Sequence, residues 1–217
     1  MSFKRTIVIG GGAAGLMAAG RAAERGARVL LLEKMSRTGR KIGISGKGRC
    51  NLTNTAALDD FMRRFGKNGR FLRQCFQQFF TDELIRFFDS RNLPLVTERG
   101  GRVFPASSRA LDVVHVLNSW LQAEGAEVKK TSAVSAILVS QGHVTGVVCN
   151  GEKLACDNVI LATGGPAGIY RDSVYPVSQT GSIGMALKAG AGAQNLSFTQ
   201  FGIASLKFRW NLSGSYQ

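Results

Sequence analysis

Three glycines, Gly10, Gly12 and Gly15, stand between a short apolar run and a helix-forming run, and nothing else in the chain restricts its fold as strongly. Lys4 to Ile9 is apolar and β-branched, as a parallel strand buried on both faces should be. Ala13 to Arg25 is made mostly of strong helix formers, and Gly26 supplies a stop. Val29 to Leu32 is a second buried strand that ends at Glu33. The result is a β-α-β unit of about thirty residues. Each glycine has its own task in such a unit. The first makes the tight turn, the second lets a pyrophosphate approach the backbone, and the third lets the helix pack on the strand. Ala13 and Ala14 open the helix, whose N-terminus offers free N–H groups and a positive dipole end to phosphates. Glu33 falls eighteen positions after Gly15, followed by Lys34. A carboxylate there accepts hydrogen bonds from an adenosine ribose and repels the extra phosphate of NADP.

The pattern fails to read as helix or strand between Met35 and Asn54. The stretch is rich in Gly, Ser, Lys, Arg and Asn and is expected to be a long ordered loop. Helices are expected near 57–65, 69–79 and 81–91, then a hairpin from Leu95 to Pro105 turning at Gly100-Gly101. Ser108 is expected to cap a further helix with Leu111, Val114, Leu117 and Leu121 on one face. Residues 127–130, 133–140, 143–149 and 153–156 read as a small β-meander. Asn158 to Ala162 reads as another apolar strand, followed by Thr163-Gly164-Gly165. A helix is expected over Gly181 to Ala191 and extended chain over Gln194 to Phe201.

The β-α-β unit calls for a dinucleotide, and two later features favour FAD over NAD. The loop Arg37 to Asn54 combines small residues with five basic side chains, among them Arg40 and Lys41. It can approach and neutralise a diphosphate or a reduced, anionic flavin. The meander followed by Ala162-Thr163-Gly164 places small residues at the end of a strand beside the first crossing, which makes room for the same ligand.

Charge is uneven. Of the formal +14, residues 1–110 hold 21 basic and 8 acidic residues, leaving only +1 for the rest. Such a bias suits an anionic partner, but no recognisable nucleic-acid module accompanies it. The surplus is expected to serve small anionic ligands and solvated helix surface, with any polynucleotide binding weak and sequence-blind. Met1 to Arg5 leave no room for a signal peptide, and no apolar run is long enough to span a bilayer. A cytoplasmic, non-membrane protein is therefore expected. Cys50, Cys75, Cys149 and Cys156 lack C-x-x-C spacing, so neither a disulfide nor a metal site is expected.

Four segments carry a family resemblance: the opening, S-G-K-G-R-C-N-L-T-N (Ser45 to Asn54), F-G-K-N-G-R-F-L (Phe65 to Leu72) and G-G-R-V-F-P (Gly100 to Pro105). Over roughly residues 4–165 the chain resembles the bacterial aminoacetone-oxidase-like FAD-binding flavoproteins, of the two-dinucleotide-binding-domain group. The resemblance implies an α/β fold: a Rossmann-like, glutathione-reductase-type FAD-binding domain with a small β-meander and inserted helices. The resemblance also implies a substrate or cap domain, which 1–217 is expected to lack while forming one domain with core 1–56 and 108–200 and an insertion at about 57–107. It also implies that Glu33 meets the adenosine ribose. Gly39, Arg40 and Lys41 would lie along the diphosphate and ribityl chain. Ser45, Gly46, Cys50 and Asn51 would reach toward the isoalloxazine, and the Val134 backbone would meet the adenine. The tail, Ala162 to Tyr170 and Thr180 to Ala186, is more similar to fumarate-reductase and aspartate-oxidase flavoproteins. Ser182 stands where their Asp falls, and Phe201-Gly202 where their His-Pro would follow.

The expected activity is hydride transfer through FAD to an organic acceptor or oxygen, with NAD(P)H or an organic molecule as donor. The alternative is a nucleotide-binding module that needs another segment or partner chain and is not catalytic by itself. No catalytic acid or base stands out. His115, between Val114 and Val116, reads as structural, and the phenylalanines between Phe71 and Phe88 read as core.

Overall fold

The computed structural model describes residues 4–165 and 181–194. The tail features at Pro166 to Tyr170 and Thr180, and the extended chain expected past Gln194, lie outside them. The chain divides into two compact units, residues 1–37 with 125–217, and residues 38–124. The expected insertion at 57–107 lies inside the second.

The first unit is built on a parallel sheet of four strands in the order β10-β1-β2-β6. These are β1 (Arg5–Ile9), β2 (Arg28–Leu32), β6 (Glu127–Lys129) and β10 (Asn158–Leu161). Helix α1 (Ala13–Glu24) crosses from β1 to β2 and buries Leu16, Ala19 and Ala23. It ends where Gly26 donates to Ala23 O and Ala27 to Ala22 O, the paired bonds of a glycine C-cap. Side chains alternate along a strand, so Ile7, Ile9, Leu30 and Leu32 share one face. That face packs with Val147, Cys149 and Cys156 in one buried cluster. Val147 and Cys149 come from an antiparallel meander of β7 (Val134–Ser140), β8 (His143–Cys149) and β9 (Glu152–Ala155). With both faces covered, the continuous apolar runs of β1 and β2 are explained.

One strand is not where the sequence suggested. Residues 127–129 leave the meander and pair in parallel with β2, Leu31 opposite Val128. A polar-apolar-polar run of three residues carries too little pattern to choose between an edge of the main sheet and a meander.

The second unit holds a three-stranded antiparallel sheet, ordered β3 (Thr53–Asn54), β5 (Arg102–Pro105) and β4 (Leu95–Glu98). Around it lie α2 (Arg40–Ile44), α3 (Leu58–Arg63), α4 (Arg73–Gln78), α5 (Thr81–Asp89) and α6 (Ala110–Ala123). The stretch expected to be pure loop thus contains α2, a 3-10 turn over Ser45–Gly48 and the short β3. Ser108 does not cap α6. It stands at φ 54°, and the N-cap is Arg109, with no side-chain hydrogen bond. The buried face of α6 is Ala110, Val113, Leu117, Trp120 and Leu121, while Leu111 is 60% exposed. Leu117 and Leu121 keep the expected face, but Ala110, Val113 and Trp120 share it in place of Leu111 and Val114. Trp120, whose ring meets Phe87 edge-on at 4.7 Å, sets it. At α5 the carboxylate of Glu83 accepts the Phe80 N–H at 2.9 Å, which satisfies one of the helix's open donors.

Candidate functional site

Within the first unit, β1, α1, β2 and the end of β10 converge on the glycine loop. Gly10 has φ 105°, a left-handed backbone that disfavours side chains, and a Cβ there would lie 2.5 Å from the carbonyl oxygen of Ala162. Ala162 in turn donates to Ile9 O at 2.8 Å, and Gly10 donates to Leu32 O at 2.8 Å. The loop is therefore clamped between the ends of β2 and β10, with Thr163 and Gly164 continuing past it. A Cβ on Gly15 would overlap the Gly10 carbonyl oxygen, so the third glycine lets the first turn of α1 sit directly on the loop. Gly12 differs from both. It is the N-cap of α1 and has ordinary φ of −81°. A Cβ there meets nothing within 4 Å, so the loop opens at this point.

Glu33 follows the last residue of β2 and is only 9% exposed. Its two carboxylate oxygens accept the N–H of Gly11 at 2.6 Å and of Met35 at 2.8 Å. Its own N–H donates to Lys129 O, and its carbonyl accepts the Ser132 N–H at 2.8 Å. That last bond ties the approach to β7, and so Val134, to the end of β2. Lys34 beside it is exposed. Gly11 and Ser132 were not singled out from the sequence. Gly11 was visible as the variable position of the glycine motif, whereas nothing local marked Ser132.

These residues fit a dinucleotide. The first turn of α1 carries neither a side-chain cap nor an acidic residue. Ala13 and Ala14 are exposed and add only methyl groups around the helix's free N–H groups. The cradle at Gly12 is the space that any side chain would fill.

Gly39, Arg40, Lys41, Ser45, Gly46, Cys50 and Asn51 belong to the second unit. Gly39 is buried against Val114 of α6, where a Cβ would lie 2.6 Å from that side chain. Next to it the Thr38 hydroxyl donates to Asn118 Oδ1 at 2.9 Å. Arg40 and Lys41 are exposed on α2. The Ser45 hydroxyl donates to Ile42 O at 2.8 Å, and the Cys50 N–H to Ser45 O at 3.0 Å. The turn is tight enough that a Cβ on Gly46 would come 2.7 Å from the Asn51 nitrogen. Asn51 itself is exposed. Cys50 is 5% exposed, and burial pushes its thiol pKa up. That is the opposite of the electropositive, open setting that makes a thiol reactive. Arg49 is committed elsewhere: it pairs with Glu98, and its guanidinium lies 4.2 Å over the Phe104 ring. His115 is exposed on α6. All four cysteines are free, and no group of three or more His, Cys, Asp or Glu suited to a metal occurs among the described residues. No helix among them is long and apolar enough to cross a membrane.

Comparison with known proteins agrees with this geometry. The chain is 37% identical over 163 residues to a 3-dehydro-bile acid delta(4,6)-reductase of Clostridium scindens, covering 74% of this chain and 39% of that protein. It is 28% identical over 159 residues to a ribosomal RNA dihydrouridine synthase of Escherichia coli, covering 73% and 39%. The chain thus spans about two fifths of the length of these curated relatives. In fold it is similar to Sdh1 of Mycobacterium smegmatis, with a TM-score of 0.67 at 22% identity, covering 86% of this chain and 39% of that one. Residues 4–194 match the HI0933-like protein Rossmann domain. The chain belongs to the HI0933-like Rossmann-domain family, whose cofactor is FAD.

Proposed function

We propose that the protein is an FAD-dependent reductase that saturates a carbon–carbon double bond conjugated to a carbonyl. The observation that carries cofactor binding is the pairing of the open Gly12 cradle with a Glu33 carboxylate fixed beside it. In this reading the adenosine ribose meets the lone pairs that Glu33 leaves free. The diphosphate lies over Gly10, Gly12, Ala13, Ala14 and Gly15, and Val134, Ala162, Thr163 and Gly164 line the same cleft. Lys34 is assigned to the ligand's phosphate portion. When bound, the flavin supplies a two-electron carrier between a nicotinamide donor and the acceptor.

The reaction class is supported by what the two relatives' names share. A delta(4,6)-reductase of a 3-dehydro bile acid and a dihydrouridine synthase both reduce a C=C bond activated by a carbonyl. The balance is one hydride to the β-carbon and one proton to the α-carbon. The likeness to aminoacetone oxidases would instead imply oxidation of an amino ketone, with oxygen as acceptor. The cytoplasm is the proposed setting, consistent with four free thiols.

A second reading has its own support. Because the chain spans about two fifths of its named relatives, these 217 residues hold FAD with an exposed ring and leave organised turnover to further chain. One experiment addresses both. The purified chain is examined for a flavin spectrum, then for bleaching by NADPH or NADH with cyclohexenone as acceptor. Bound FAD with enone reduction supports the first reading. Bound FAD that reoxidises only with oxygen supports the second, and absence of any flavin binding defeats both.

A further inference from the structure

The Phe65–Leu72 segment is part of the family resemblance, yet nothing in the dinucleotide site uses it. It forms a 3-10 turn over Gly66–Leu72 between α3 and α4. A 3-10 turn repeats every three residues, which sorts this segment into three faces. Gly66, Gly69 and Leu72 share one, Lys67 and Arg70 the second, Asn68 and Phe71 the third. Gly69 is buried, and a Cβ there would overlap the carbonyl oxygen of Met62 in α3. Gly69 therefore seats the turn on α3 and leaves the second and third faces to point outward.

They do. Lys67, Asn68, Arg70 and Phe71 are all exposed, as are Arg63, Arg64 and Phe65 before them. Phe71 is 85% exposed and Phe65 48%. The expectation that Phe71 belongs to the core is thus overturned. Of the other phenylalanines expected as core, Phe79 is 41% exposed, while Phe76 and Phe80 join Phe61 and Phe65 in a cluster whose adjacent rings lie 5.2–6.2 Å apart. Phe71 stands outside that foundation. The charges divide in the same way. Arg63 pairs with Asp60 and Arg73 with Asp59. Among the described residues Arg64, Lys67 and Arg70 make no ion pair.

We propose that this face docks single-stranded nucleic acid, with Phe71 stacking on a base and Arg64, Lys67 and Arg70 meeting backbone phosphates. Charge complementarity selects a polyanion. The isolated ring selects an unpaired base, since a base inside a duplex offers no face to stack on. Every base has such a face, so binding is sequence-blind. A lipid surface fits less well: Gln74, Gln77 and Gln78 of the adjoining α4 are exposed, so no broad apolar face surrounds the ring. The inference does not depend on the flavin reading.

The test is fluorescence anisotropy of the full chain with a labelled oligouridine of about 12 nucleotides at about 50 mM salt. Phe71→Ala, at an exposed position, should keep the melting temperature and weaken binding about tenfold. Lys67→Ala with Arg70→Ala should reduce the slope of log K against log salt by about 1.4, at about 0.7 per phosphate contact. Anionic phosphatidylserine vesicles and a duplex of the same length should compete poorly. The proposal is overturned if the oligomer does not bind at low salt, if Phe71→Ala binds as well as the parent, or if vesicles or duplex are preferred.

Discussion

The Gly11 N–H donates to Glu33 Oε2 at 2.6 Å, which locks the glycine loop to the end of β2. The Met35 N–H holds the other oxygen. The carboxylate is therefore oriented before any ligand arrives, with lone pairs to spare on both oxygens. Replacing Glu33 by Ala removes this acceptor from two backbone donors and from a ribose. FAD binding should weaken by about 1–3 kcal/mol, measured by flavin fluorescence titration. Glu33→Gln should lose less, since one acceptor oxygen remains. Equal affinity in all three proteins would separate Glu33 from the site.

Gly15 and Gly12 should behave in opposite ways. A methyl group on Gly15 collides with backbone rather than with a side chain that could turn aside. Gly15→Ala should therefore destabilise the fold by about 3 kcal/mol. Gly12→Ala enters open space and should lose only the helix N-cap preference, about 0.5–1 kcal/mol. Urea unfolding of both variants gives the comparison, and similar losses at the two positions would contradict the packing described.

Burial separates the four thiols. Cys75 is exposed, whereas Cys50, Cys149 and Cys156 are buried, and burial raises the pKa of Cys50 and Cys156. Iodoacetamide near neutral pH should label Cys75 and spare the other three until the protein is unfolded. Peptide mass spectrometry reads the result. Rapid labelling of folded Cys50 would restore it as a reactive group beside the loop.

Glu98 is held below the usual carboxylate range, first by hydrogen bonding from Arg49 and then by the charges of Arg49 and Arg102. A folded pKa below the unfolded one gives stability that is present above the unfolded value, about 4.3. It is lost as pH falls through the depressed folded value. Glu98→Gln should therefore lower the neutral portion of a stability-against-pH curve, flatten part of its acid limb, and leave the acid end nearly unchanged. A parallel shift of the two curves at every pH would assign the pair no titrating role.

Much of the first unit was readable because its signals are local. The glycine spacing, two continuous apolar runs and the Gly26 stop specify β1-α1-β2, and Glu33 follows from its place after the second run. What could not be read depends on distant partners. Residues 127–129 join the main sheet because the edge of β2 is open to them. The face of α6 is set by Trp120 packing on Phe87. Phe71 reads as core from the near-helical spacing of the phenylalanines, and only the folded chain, with Gly69 seated on α3, shows it exposed. The Ser132 bond to Glu33 joins residues 99 positions apart, for which no sequence pattern exists.

The central claim is that the cradle at Gly12 receives the phosphates of FAD. Gly12→Val is the direct test, because the position has ordinary φ and open space around it, so the fold should survive with a loss of about 1 kcal/mol. The measurement is the flavin absorbance retained after FAD reconstitution and gel filtration, beside the melting temperature. The account predicts a folded Gly12→Val protein that retains no flavin while the parent retains it. A folded variant that holds FAD as well as the parent would contradict the assignment.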